Sequence, residues 1–240
     1  MAGDFKNRVS SLDWQVAALN QQMTLPGIEQ PELRDLLGAF KAKTQARKKT
    51  GSDSSAREYL FIAIRPPASI FPVIEHHARC IQSSQGVAGY ILPRWRFHVT
   101  VFELGYYDTI PPQLIEEIGR AMMHVQVREF PVMFDRVMRF DGGISAPSRR
   151  AVVLCSDMVQ QGLSLLGDRM VGALSVTELE VGQKNLVRNP HMTLFYTEQL
   201  MCEQAVQPVE WTVRNFALIQ SHRGQHKPYT VLGEWTLLGE

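Results

Sequence analysis

Two short runs constrain what this chain can fold into more than anything else in it. "RFHVTVF" occupies Arg96–Phe102, "NPHMTLF" occupies Asn189–Phe195, and both carry His-x-Thr-x-Phe inside an apolar stretch. Alternate residues of a strand point to one face, so His98 projects with Thr100 while Phe97, Val99 and Val101 turn the other way. The same parity joins His191 to Thr193 and sets Met192 and Leu194 opposite them. Each run therefore reads as a strand with an apolar face for a core and a histidine–hydroxyl pair on its other face. Continued regularly, that second face also receives Phe102 and Phe195. They are candidates to flank a base by stacking, although packing in the core or a groove wall is the favoured reading.

The two runs sit in similar surroundings. From Glu58 the chain reads "EYLFIAIR" as a strand, a helix through Ile74 and Ile81, "RWRFHVTVFEL" as a strand, and a helix from Pro111 to about Val125. Leu114, Ile115, Ile118, Ala121, Met122 and Val125 make one face of that last helix. A comparable series follows: "FPVMFDRVM", "RRAVVLCS", a helix through Val159, Leu163, Leu166 and Met170, "NPHMTLFY", and the closing strands "EWTVRNFALIQ" and "YTVLGEWTLL". This order predicts an α+β domain of two sheet halves with helices packed outside and a groove between them. The "FDGGISAPSRR" connection reads as a turn, with Arg149 and Arg150 at one rim of the groove.

Residues 1–55 read as a separate N-terminal helical extension and linker, and residues 56–240 as the main domain. "SSLDWQVAALNQQM" and "PELRDLLGAFKAKTQARKK" suit two short helices, followed by the polar "TGSDSSARE" with a boundary near Ser55. Leu33, Leu36, Leu37 and Phe40 form a stripe that docks on the main domain or on a partner chain. Lys41, Lys43, Arg47, Lys48 and Lys49 could make a recognition arm, but docking or a solvated tail is the favoured reading, since the macrodipole also favours a basic helix end.

Composition narrows the function classes. With 45% hydrophobic and 20% charged residues the chain is that of a soluble globular protein rather than a disordered or membrane one. A formal net charge of +1 is too small for the broad positive field of a non-specific polyanion binder, so nucleic-acid contact is expected to be local. Cys80, Cys155 and Cys202 are widely spaced and odd in number, which suggests neither a disulfide framework nor a thiolate zinc site and fits the cytoplasm. The first thirty residues lack a signal-peptide pattern and no run is long and apolar enough to span a bilayer, so neither export nor membrane insertion is expected.

The paired motifs carry the chemistry. A histidine beside a threonine in one strand is unremarkable; two such pairs in matched contexts are not. Histidine titrates near neutral pH, and two of them on opposite sides of a phosphorus centre can take a proton from water and give one to a leaving oxygen. Hydroxyls two residues on can hydrogen-bond the non-bridging oxygens. This needs no metal and no cofactor, and the sequence offers no H-E-x-x-H, no paired Cys and no Asp or Glu inside either motif. G-x-S-x-G, G-x-x-x-x-G-K and G-x-G-x-x-G are absent too.

On these residues the chain resembles the two-histidine (2H) phosphoesterase superfamily, whose pattern is two H-x-T/S motifs, each on a strand. "YLFIAIRPP", "LPRWRFHVTVFELG", the Asn-Pro before His191 and "SHRGQHKPYTVLGEW" agree, and the resemblance runs from about Glu58 to Glu240. It is most similar to the bacterial 2′-5′ RNA ligase-like and RNA 2′,3′-cyclic phosphodiesterase branch. The resemblance implies a bilobal duplicated fold with the motifs facing across a central cleft. It implies metal-independent opening of 2′,3′-cyclic phosphates of RNA ends or nucleotides, typically to a 2′-phosphate. By position His98 is then the acid that protonates the leaving O3′, His191 the base that activates water, and Thr100 and Thr193 hold the phosphate.

One position departs from the pattern. Many RNA-processing relatives carry arginine five residues after the second histidine, where this chain has Tyr196, which puts RNA-end specificity and ligase activity in question. Regular parity turns Tyr196 away from His191, toward packing. The loop "SHRGQHKPY" gathers His222, Arg223, His226, Lys227 and Tyr229; it suits a nucleotide-contacting loop, with Arg223 and Tyr229 as substrate contacts, and equally a solvated turn. His76, His77 and His124 read as surface or ordinary core residues. A non-catalytic module that binds a nucleotide or RNA end in the same cleft is the competing reading.

Overall fold

The computed structural model describes residues 57–140, 149–225 and 227–239. Its strands are β1 (Glu58–Ile64), β2 (Val99–Tyr107), β3 (Phe130–Arg139), β4 (Arg150–Cys155), β5 (Met192–Thr197), β6 (Gln204–Val213), β7 (Asn215–His222) and β8 (Thr230–Thr236). They form two antiparallel four-stranded sheets, in the orders β2-β1-β7-β8 and β5-β4-β3-β6. The N-terminal helices, the boundary near Ser55, the residues between Asp141 and Ser148, and His226 lie outside the described residues.

Among the described residues three α-helices connect the strands, and their bounds follow from local chemistry. Helix α1 (Phe71–Gln85) has Pro72 in its first turn, buries Ile74, Ala78 and Ile81 at three- and four-residue spacing, and stops at Gly86, whose φ of 63° suits a residue without Cβ. Helix α2 (Pro112–Met122) opens on proline and buries Leu114, Ile118, Ala121 and Met122. It ends short of Val125, which is buried from the following turn. Helix α3 (Gln161–Leu174) buries Leu163, Leu166, Met170 and Leu174. Val159, expected on its apolar face, precedes the helix and is 79% exposed.

The run "EWTVRNFALIQ", expected as a single strand, is divided between the two sheets. Trp211 and Val213 are buried in β6, Phe216 and Leu218 in β7, so the alternation slips by one residue across Arg214. That slip is where the chain leaves one sheet for the other. Arg214 is held there by Glu129 at 3.1 Å, and its carbonyl accepts from Leu237 N–H at 2.8 Å.

One continuous apolar core serves both sheets, with Leu60, Ile62 and Ile64 of β1 joined to Val152 and Leu154 of β4. Burying a side chain of this size contributes about 1.5–3 kcal/mol. A second, smaller cluster of Phe61, Ala63, Ala217 and Ile219, flanked by Tyr59 and Tyr229, covers the other face of the first sheet. This is why β1 reads as an unbroken apolar run. Among the described residues no helix is long and apolar enough to cross a membrane.

The motif strands β2 and β5 are edge strands, and each edge is closed by the segment that leads into the other motif. Leu92 N–H donates to Leu194 O at 2.8 Å and Ile91 bridges Phe195; Val187 N–H donates to Val101 O at 3.1 Å and Leu186 bridges Phe102. Exchanged leaders satisfy backbone groups that an open edge would leave bare, and they tie the two sheets together beside the histidines.

Candidate active site

His98 and His191 occupy the same place in the two halves, each one residue before its strand begins. His98 Nδ1 lies 2.7 Å from Arg96 O, and His191 Nδ1 lies 2.8 Å from Asn189 O. A carbonyl only accepts, so in both rings Nδ1 carries the proton and donates it, leaving Nε2 as the free nitrogen. The rings are also clamped. His98 packs on Phe61 with centroids 5.0 Å apart and on the edge of Tyr229 at 5.3 Å, and His191 meets Phe140 edge-on at 4.5 Å.

The two differ in electrostatics. Burial pulls the pKa of His98 down to about 4; the bond to Arg96 O opposes this, and the charges of His191, Arg65 and Arg96 add to it. Burial also lowers His191, but there the Asn189 carbonyl and the carboxylate of Glu103 both act in the opposite direction. The titration of His98 responds to the charge of His191, so the two rings lie within electrostatic reach of one another although they belong to different sheets.

Thr100 and Thr193 are half-buried in β2 and β5. Just past each of them the strand bulges. Ala63 pairs with Thr100 and Ile62 with Phe102, so Val101 is one residue too many; likewise Val153 pairs with Thr193 and Val152 with Phe195, which makes Leu194 the extra one. A bulge inverts the parity of everything after it. Phe102 and Phe195 accordingly turn into the core with no exposure, so neither lies in the groove to stack on a base. This corrects the expectation drawn from a regular strand.

The inversion brings Glu103 and Tyr196, each five residues after its histidine, to the groove side. Glu103 accepts a hydrogen bond from Tyr59 at 2.8 Å and acts on His191. Tyr196, expected to pack away from His191, is 39% exposed and instead lies near enough to Tyr106 of the other sheet and to Tyr229, just before β8, to influence their titration. Equal spacing in the two motifs is the signal by which Glu103 is found.

Of the loop residues, Tyr229 reaches the site, packed on both Phe61 and His98. Arg223 sits over Tyr106 at 5.0 Å, and Tyr106 in turn stacks on Tyr59 at 4.6 Å, so Arg223 belongs to the aromatic wall rather than the histidine pair. His222 is engaged with Glu58 at 2.8 Å and Thr230 at 2.9 Å. Lys227 is exposed. Trp95 and Arg96, which the motif reading passed over, complete this wall, with the Arg96 guanidinium over Trp95 at 5.2 Å and Tyr229 at 5.4 Å. His77 is buried in α1 as an ordinary core histidine, and His76 and His124 are exposed.

A cavity of about 1010 Å³ opens on the second sheet's side, bounded by Thr100, Phe140, Leu186, Arg188 and Pro190 among others. Cys155 also borders it; burial pushes its thiol up to about 11, so it is not a ready nucleophile. Among the described residues no three His, Cys, Asp or Glu side chains gather where they could hold a metal ion.

Comparison with solved structures gives the same architecture. The chain is similar to E. coli LigT in complex with 3′-AMP, with 20% identity, a TM-score of 0.58, and coverage of 75% of this chain and 98% of that one. It is similar to E. coli LigT in complex with ATP, at 20% identity, a TM-score of 0.56 and the same coverage. It is similar also to TT0787 of Thermus thermophilus, with 21% identity, a TM-score of 0.52, and coverage of 76% and 99%. Among curated proteins none matches the sequence. The family model of the 2′-5′ RNA ligase superfamily matches residues 66–225, a span that holds both histidine motifs and the exchanged leaders, and the chain therefore belongs to this superfamily of 2H phosphoesterases.

Proposed function

We propose that the chain is a phosphodiesterase that opens 2′,3′-cyclic phosphates of RNA ends or nucleotides by acid–base catalysis between His98 and His191. The observation that carries this reading is the matched presentation of the two rings: each donates Nδ1–H to the carbonyl two residues upstream and offers Nε2. A binding module has no need of two imidazoles fixed in one tautomer on opposite sheets. The known complexes of E. coli LigT with 3′-AMP and ATP make a nucleotide ligand reasonable here as well.

In the reaction, water attacks phosphorus in line with the bond to O3′. One Nε2 takes the water proton, the other Nε2–H gives its proton to O3′, and the P–O3′ bond breaks. The products are a 2′-phosphate and a free 3′-hydroxyl. Thr100 and Thr193 donate to the non-bridging oxygens, and Arg65 and Arg96 supply positive field beside His98. The family resemblance makes His98 the acid, but the surroundings in this chain favour the converse. His98, pulled down to about 4, rests neutral and suits the base, while the Glu103 carboxylate helps His191 hold the proton it must deliver.

The test is hydrolysis of 2′,3′-cyclic nucleotides and a cyclic-phosphate-ended oligonucleotide in EDTA, with phosphorus NMR of the product. Wild type is expected to give a 2′-phosphate, and His98→Ala and His191→Ala are each expected to lower kcat/KM by about 10²–10⁴-fold. Folded wild-type protein that turns over none of these substrates defeats the proposal.

A further inference from the structure

The cavity beside Thr100 is not used by the two histidines. Its volume of about 1010 Å³ lies at the upper end of the roughly 300–1,000 Å³ typical of small-molecule sites, more than a cyclic phosphate alone needs. It joins the reaction centre at two points: Thr100 is one of its walls, and Phe140, another, packs against His191. Its apolar surface comes from Met138, Phe140 and Leu186, and Met158 stands 64% exposed at its border.

The charges around it are unequally committed. Asp157 is paired with Arg136 at 2.8 Å, Asp168 accepts from Gln183 at 3.4 Å, and Arg139 donates to the carbonyls of Glu198 and Gln199. Arg188 is different. It lines the cavity three residues before His191, is exposed, and makes no hydrogen bond or ion pair among the described residues. The cavity thus offers apolar side chains for a base and, among the described residues, a single uncommitted guanidinium for an anion.

We infer that this cavity holds the nucleoside bearing the cyclic phosphate, its base laid against Met138, Phe140 and Leu186, with Arg188 receiving that nucleoside's 5′-phosphate. The substrate class is then a nucleoside cyclic phosphate that is also 5′-phosphorylated, as at the end of an oligonucleotide, in preference to the bare cyclic nucleoside. The inference rests on the proposed reaction and specifies its substrate. A guanidinium meets a phosphate in paired hydrogen bonds, which lysine does not reproduce.

Three measurements test it. The first compares kcat/KM for adenosine 2′,3′-cyclic phosphate with and without a 5′-phosphate. The 5′-phosphate is expected to raise it about tenfold, and Arg188→Ala is expected to bring the ratio to near one, with Arg188→Lys between. A wild-type ratio of one, or a preference that Arg188→Ala leaves intact, overturns the subsite whether or not the cyclic phosphate is opened. The second is calorimetric binding of adenosine 2′-phosphate against adenosine 2′,5′-bisphosphate, which needs no turnover. Tighter binding of the bisphosphate that is lost in Arg188→Ala supports the subsite even if the proposed reaction fails, and equal binding of the two overturns it. Ser164→Trp, on the exposed cavity side of α3, is expected to raise KM for nucleoside cyclic phosphates about tenfold while sparing a small non-nucleoside cyclic phosphate. Equal effects on both place the base elsewhere.

Discussion

His98 and His191 are the same side chain held by the same backbone contact, yet their electrostatic surroundings differ. Desolvation acts on both, but His98 has two arginines and a histidine for neighbours, whereas His191 has a carboxylate. Burial lowers both rings, but the Glu103 carboxylate opposes this at His191 alone, and on the proposed reaction this favours His191 as the donor to O3′ and His98 as the acceptor from water. An activated aryl phosphodiester, whose leaving group departs without protonation, separates the two roles. It is expected to restore His191→Ala to within about tenfold of wild type while His98→Ala stays 10²–10⁴-fold down; rescue of His98→Ala instead assigns the roles the other way round. Both histidines and both threonines were legible in the sequence because an H-x-T spacing is a local property of a strand. The partners that distinguish the two rings were not, since Arg65 and Glu103 approach them only through folding.

At the scale of elements the deciding feature is the pair of bulges at Val101 and Leu194. Each bulged residue turns its carbonyl outward, where an N–H of the opposite leader meets it, and each returns the following phenylalanine to the core. Close approach of the leader depends on Gly89. A Cβ there would stand 2.6 Å from both the Phe195 ring and the Tyr196 carbonyl, and the carbonyl cannot swing aside. Gly89→Val is expected to cost about 1–3 kcal/mol, as overpacking typically does, and to lower turnover by displacing β5 behind His191. Gly172→Ala, in exposed helix with nothing within 4 Å, is the contrast and is expected to stabilise by about 0.5–1 kcal/mol. Melting temperatures and kcat of the two variants check this, and an unperturbed Gly89→Val contradicts the tight leader contact. Helix α2 was readable to within a few residues because prolines open it, and α1 only through its apolar positions Ile74 and Ile81. The division of "EWTVRNFALIQ" was present as a slip in alternation, but which sheet each half joins is a long-range matter.

The described residues from Arg57 onward form two similar halves joined by a shared core and by exchanged leaders, so neither sheet has its motif edge closed or its core complete without the other. Residues 57–240 are accordingly expected to unfold in one step: denaturation followed by far-UV circular dichroism and by tryptophan fluorescence, with Trp95 and Trp235 in the first half and Trp211 in the second, should give coincident curves. Two separated transitions refute the coupling. By itself the sequence determined the α+β class, the duplicated order of elements, the paired histidine–threonine motifs and the resemblance that these carry, because periodicity, helix ends and motif spacing are encoded within a few neighbouring residues. The tertiary structure alone decided that Phe102 and Phe195 are core, that Glu103 and Tyr196 face the groove, and that Arg188 borders an open cavity. A bulge is fixed by the register of a partner strand and by the donors that reach it from the other half of the chain, and no local pattern records either.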